Sequence, residues 1–472
     1  MSRLRIAALL ISAALLLLLV PSLGAPAKVN LLTAHFDRDC VFLGGSLKVG
    51  AYSLPFFGYV SNSTRKLYYV DAPGFVTGSY ATNGSGVFVG TVFLEGAPSI
   101  LVAEVEPRGE PRVYALRSAV PLYGVDVVSL GNGTLFVAGY VYAEATTRSS
   151  DVVVVRLSKG TPVRVVVFGS PSFDDHPRRI LYAGGYLVVV GETWAYNVSQ
   201  GDVFVARLTP QLELKDDTVV GGAGIDTPED ALPLDDGSLL LVGSTVGGDG
   251  THDGFVARVS EVGGLLYLSS ITGYGEEYAV AVTRVGGAYV VVAYGGFEED
   301  TSGALILNYT LRGAWDLAFQ GAYLVKASNS SVLPVKAPWG AREAVFKTDG
   351  EVFEVFSGRE VCLSNNCSLR EVVLAEYGKQ VSAMLSPIYG WRTLHGVMKA
   401  RATPEVEALA LDYRGALLNA STSSLEVFIQ PYARRFDPVK ETIKFLERNI
   451  PILLFLPMVA AAVIVTLQIK RR

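Results

Sequence analysis

One repeated spacing constrains this chain more than any other feature. Leu135-Phe136-Val137-Ala138-Gly139, Leu187-Val188-Val189-Val190-Gly191 and Leu239-Leu240-Leu241-Val242-Gly243 are near-copies whose closing glycines stand 52 residues apart. A second core follows each one: Asp151 to Leu157, Asp202 to Leu208 and Asp253 to Val259, with the aspartates 51 residues apart. Weaker copies flank the set at Gly86–Gly90 with Ser99–Val105, and at Tyr289–Ala293 with Gly303–Tyr309. Glu407–Asp412 reads as one more degenerate copy. Each unit holds about four short runs of Val, Leu, Tyr and Phe between Gly, Asn, Asp and Ser turns, the pattern of all-β structure. Four strands per repeat of roughly 40–50 residues is the signature of a propeller blade. A blade cannot cover both its apolar faces alone, so repetition is how the core is built.

The expected fold is therefore an all-β β-propeller of about seven four-stranded blades over residues 28–430, with six or eight blades as alternatives. A tandem of β-sandwiches or an open solenoid also fits strand-rich repeats, but sandwich domains run to ~100 residues, about twice this period. The stretch Asp230–Ser244 followed by Asp253–Val259 resembles the seven-bladed β-propeller repeat family, whose units read D-A-x-x-I-x-x-D-x-x-G-N-x-Y-V-x-G-x-T and then D-A-F-V-A-K-L. The resemblance is good over residues 124–276 and weaker on either side. It implies a fold and an extracellular setting, and no activity, since propellers carry many unrelated functions.

The two ends set the expected topology. Arg3 and Arg5, an apolar run from Ile6 to Val20 and the small site Ala25-Pro26-Ala27 read as a signal peptide over residues 1–27. Ile450–Ile469 is long and apolar enough for a transmembrane helix. Lys470-Arg471-Arg472 then form a short cytoplasmic tail by the positive-inside rule. Residues 431–449 read as a juxtamembrane helix, begun by Asp437-Pro438. The expected location is a cell membrane, crossed once, with the N-terminal region outside.

Eight of the eleven asparagines open an N-x-[ST] sequon: Asn62, Asn83, Asn132, Asn197, Asn308, Asn329, Asn366 and Asn419. All lie between the two apolar ends, so sequons and topology agree. Cys362 and Cys367 can close a small loop in an oxidising compartment, leaving Cys40 over. The net charge of −5 becomes more negative once the five basic residues of the end segments are set aside, which argues against a nucleic-acid partner. Dense sequons with few Cys and Met point to an archaeal, heat-loving source.

Candidate chemistry is sparse. Asp151, Asp202 and Asp253 read as turn carboxylates bonded to backbone amides and neutralised by Arg156, Arg207 and Arg258. Asp126, Arg178 and Asp230 open their units in equivalent places and are the candidate channel ligand site. Phe173-Asp174-Asp175-His176 and Gly248–Asp253 combine His with carboxylates but match neither calcium-loop nor zinc spacing, so no metal is assigned. No cofactor, nucleophile elbow or phosphate loop is recognisable. The expectation is a binding, adhesion or envelope-scaffold protein without catalysis, its partner an envelope protein or a glycan. The alternative is an extracellular enzyme acting on glycans or a quinone-dependent substrate at the channel mouth.

Overall fold

The computed structural model describes residues 26–325 apart from short connecting loops, residues 384–419, and short strands at 335–336, 344–348, 352–356, 359–362, 379–381 and 426–428. The chain is all-β. Six four-stranded antiparallel meanders follow one another: sheet one spans residues 26–70, sheet two 74–117, sheet three 122–169, sheet four 175–221, sheet five 226–272 and sheet six 278–325. The first strands of sheets one to six pack against one another in succession. That places first strands innermost and fourth strands outermost, a β-propeller-like arrangement. A three-stranded sheet covers 344–362, and strand Val335–Lys336 pairs in parallel with the first strand of the chain.

The repeat of the sequence accounts for sheets two to six. The second and third strands are buried along almost their whole length, as in Leu239–Val246 and His252–Val259, because sheets lie against both faces. Sheet one was not legible as a repeat. Its core is aromatic rather than valine-rich, with Phe42, Phe56, Phe57, Tyr59 and Tyr69 nearly or fully buried.

Each repeat glycine has a steric reason. A Cβ at Gly139, Gly191 or Gly243 would run into the carbonyl oxygen of Tyr123, His176 or Thr227 on the first strand opposite. Just beyond that contact the first strand carries a β-bulge: Thr77, Val125, Arg178, Glu229 and Val280 are the extra residues in sheets two to six. Such bulges bend a strand and re-aim its side chains.

After sheet six the chain returns along the outside. Strands at 379–381, 384–386, 392–395, 399–400, 407–410 and 413–419 add an outer strand to sheets six, five, four, three, two and one in that order. Glu407–Ala410 is thus the outer strand of sheet two, and Asp412 leads to the next, so the expected degenerate repeat there is corrected. The segments between these strands fill the seams between sheets. Leu385 packs with sheets five and six, Trp391 with four and five, Val397 and Met398 with three and four, Val406 with two and three, and Tyr413 with one and two.

Among the described residues no helix is long and apolar enough to cross a membrane. The expected signal peptide (1–27, beyond its last two residues), juxtamembrane helix (431–449), membrane span (450–469) and tail (470–472) lie outside the described residues.

Met398 is 2% exposed inside the core of sheets three and four. Met398→Ala should cost about 2–5 kcal/mol. Limited proteolysis should then cut the return segment before any sheet, which checks that it is a seam-filling part of the fold.

Candidate functional site

The bulges decide where the expected channel residues go. In sheets three and five, Asp126 and Asp230 directly follow the bulge. The equivalent residue of sheet four is Arg179, because its first hairpin turns through Gly184-Gly185 without the extra residue present near Gly131. A gapless alignment slips by one there, which corrects the equivalence of Arg178 with the two aspartates.

Arg179 lies between the two aspartates, its Nη1 at 3.1 Å from Asp126 Oδ2 and its Nε at 2.7 Å from Asp230 Oδ1. Burial opposes its charge, and the two carboxylates more than offset that. Each aspartate also accepts a backbone amide from the next sheet, Ile180 N–H to Asp126 at 3.2 Å and Val282 N–H to Asp230 at 3.0 Å. The group ties sheets three, four, five and six together.

Arg178 is the bulge residue itself, with its side chain 42% exposed and Nη2 3.9 Å from Glu192 Oε2. Glu229, the bulge residue of the next sheet, faces the same guanidinium. Burial raises the pKa of both glutamates, and Arg178 lowers it in part. The charge of Glu229 further raises Glu192, and that of Asp230 further raises Glu229. Two carboxyls of raised pKa thus share one cation, Glu192 within the second strand of sheet four and Glu229 at the bulge of the first strand of sheet five. Neither glutamate stood out in the repeat. The signal was a departure from it: Glu192 stands where other copies carry Thr91, Tyr140, Ser244 and Tyr294, and Glu229 where they carry Thr77, Val125 and Val280.

A tyrosine cluster borders this group. The rings of Tyr123 and Tyr140 stack at 4.7 Å, and Tyr142 meets both edge-on. His176 leans on Tyr140 at 4.8 Å. Burial, then the neighbouring tyrosines, pushes Tyr140 up to about 12. His176 Nε2 lies 2.7 Å from Ser150 Oγ, and Asp174 accepts both the Ser150 amide and hydroxyl. This is not a nucleophilic triad: the carboxylate holds the serine rather than the imidazole, and Ser150 is fully buried. Burial lowers His176 below the ordinary imidazole value.

The other expected residues fall as follows. Arg207 pairs with Asp216 at 2.8 Å and Arg258 with Asp236, so neither neutralises the repeat aspartates as expected. Asp151 instead lies 3.6 Å from Arg401 of the return segment. Among the described residues no group of three or more His, Cys, Asp or Glu side chains is placed to hold a metal ion. Asn83 and Asn132 occupy exposed Asn-Gly hairpin turns with φ of 54° and 49°. Asn62, Asn329, Asn366 and the side chains of Asn197, Asn308 and Asn419 lie outside the described residues, as do Cys367 and the side chain of Cys362. Two cavities, of about 1270 and 750 Å³, sit against the return segment, one lined by Arg117, Arg164 and Arg401, the other by Lys215, Glu261 and His395. Neither includes Glu192 or Glu229.

No family model matches the chain, and no curated protein does. Solved structures do match. One, described as a glycoside hydrolase, shares 13% identity at a TM-score of 0.28, over 55% of this chain and 63% of that one. This chain thus spans less than two thirds of that protein. A GH43_12 protein retrieved from a capybara gut metagenome shares 9% identity at a TM-score of 0.26, over 80% of this chain and 94% of that one. Likeness this distant assigns neither reaction nor substrate. Both of these proteins are described as glycoside hydrolases, so the comparisons lend no support to the expected non-catalytic adhesion or scaffold protein.

Removing Arg179 leaves two buried carboxylates without their cation, so Arg179→Ala should cost about 3–5 kcal/mol in chemical denaturation. Arg178→Ala, on a partly exposed pair, should cost no more than about 1 kcal/mol. Equal losses would mean that the two neighbouring arginines do not differ as described.

Proposed function

We propose that this chain is an extracellular, membrane-tethered enzyme that acts on glycans, with Glu192 and Glu229 as its reacting carboxyls. The observation that carries the reading is the pair of glutamates from adjacent sheets, both with raised pKa, sharing Arg178. Cleavage of a glycosidic bond uses two carboxyl groups, one protonated to protect the leaving oxygen from developing charge and one ionised to act as base or nucleophile. Glu192, ion-paired to Arg178, takes the ionised role. Glu229, beside Asp230, is the proton donor. Tyr123, Tyr140 and Tyr142 offer flat apolar faces with polar edges, which suit a sugar ring.

The remaining architecture belongs to the same proposal. The sheet at 344–362 is the seventh blade, residues 1–27 direct export, and 450–469 anchor the chain in the membrane with the sequons outside. Among the described residues Asn83 and Asn132 are glycan acceptors open to modification, since both stand exposed at turns.

The test is turnover of a panel of oligosaccharides and chromogenic glycosides by the full chain. Glu192→Gln and Glu229→Gln should each lower kcat/KM by at least about 100-fold, the usual contribution of a positioned acid or base. The wild-type rate should fall as pH rises through the raised pKa of Glu229, because the donor is then lost. Absence of turnover across the panel, or full activity in both variants, sinks the reading.

A further inference from the structure

Sheet one differs from the other five in closing on itself. Its first strand, 26–37, pairs along one edge with 40–49 and along the other with 426–428. Strand 426–428 pairs in turn with 413–419, and 413–419 with 65–70. Strands 26–37, 40–49, 52–61, 65–70, 413–419 and 426–428 therefore form a closed antiparallel ring of six. The side chains agree with closure. Phe42, Phe57, Tyr59 and Tyr68 face sheet two. The opposite face carries Leu43, Leu47, Leu54, Phe56, Leu67 and Tyr69, all buried. Gly45 and Gly58 share that inner face, where a Cβ would lie 2.1 Å from the carbonyl oxygen of Asn30 or Lys66. Glycines of this kind let a small barrel turn its corners. The first strand also bulges at Leu32, which bends it.

Closure decides where the two flanks of the chain leave the barrel. The closing strands are antiparallel, with Pro26 opposite Phe428, Ala27 opposite Val427 and Lys28 opposite Glu426. Chain entering at Pro26 and chain leaving at Phe428 thus stand at the same end of the barrel. Two of these three residue pairs use Pro26 and Ala27, so a chain cut after Ala27 would keep only one. On the N-terminal flank, Ile6–Ala25 is a run of 20 residues without a charge, long enough to cross the hydrocarbon core. Arg3 and Arg5 precede it, and Lys470-Arg471-Arg472 follow Ile469. Both apolar stretches therefore carry positive charge on the side away from the barrel.

We propose that the N-terminal segment is kept rather than cleaved, and that residues 6–25 and 450–469 enter one membrane as two stems rooted at the closing seam of the barrel. The proposal rests on the membrane-tethered reading above and not on glycan turnover. A retained segment still directs export. Both basic clusters then lie in the cytoplasm, as the positive-inside rule requires of each stem. The stems differ in slack. Pro26 directly follows the N-terminal stretch, whereas 21 residues separate Phe428 from Ile450. The N-terminal stem is the short one and sets which end of the barrel faces the bilayer.

The test uses the full chain made in a host that processes signal peptides. Mass spectrometry of the N-terminal peptide should find Met1 or Ser2 as the first residue, and a chain that begins anywhere beyond Arg5 overturns the proposal. A specific protease site inserted between Phe436 and Glu447 then separates the two stems. After cutting, the barrel should stay in alkali-washed membranes, held by the N-terminal stem alone. Release on cutting overturns the proposal and leaves a single C-terminal anchor standing. A chain already soluble before cutting defeats the tether reading and the proposal together. The closing seam is checked separately with Lys28→Cys and Glu426→Cys in one chain, since both positions survive cleavage after Ala27. Directly opposed strand residues lie within disulfide reach, so the linked peptide should form on mild oxidation. Its absence removes the closure on which the proposal stands and overturns it.

Discussion

Everything in this protein depends on the covering of sheet faces. A second or third strand such as Val152–Val155 is apolar on both sides, and each buried valine, leucine or phenylalanine is worth about 1.5–3 kcal/mol. A single meander leaves half of that surface in water. Packing sheet against sheet solves the problem pairwise, and each solution makes a new seam to be filled. The return segment fills seams with Leu385, Trp391, Val397, Met398, Val406 and Tyr413, so one stretch of chain completes the cores of many sheets.

The same packing determines where polar chemistry can stand. The close approach at Gly139, Gly191 and Gly243 and the bulge beyond it put one extra residue at the same level of each inner strand. What that residue is decides the character of the level. Threonine and valine in sheets two, three and six make it neutral, while Arg178 and Glu229 in sheets four and five make it charged. One residue further on, Arg179 takes the opposite role and is ion-paired into the scaffold. Two neighbouring arginines thus serve different ends because a bulge turns one out and the next in.

The repeat was legible because it is written in apolar residues and glycines, whose spacing the strand period and the close approaches enforce. Asp126 and Asp230 were legible as a matched pair for the same reason. Arg179 was not, since a single residue missing from the first hairpin of sheet four shifts the count, and sequence alone does not show where a hairpin bulges. Glu192 and Glu229 were hidden in a different way. They are exceptions to the repeat, and reading for likeness passes over exceptions. The returning outer strands were hidden because they are two to seven residues long and carry no period of their own. Their pairing comes from edges that the six sheets have already formed.

The order in which the return segment visits the sheets also governs how the protein answers a mechanical load. It runs from sheet six back to sheet one, where Tyr413 lies opposite Val70 and Glu426 opposite Lys28 of the first strand. A pull on the C-terminal end therefore meets sheet one first, then two, then three, with only two to four paired residues engaged at each step. Such a lattice peels rather than shears.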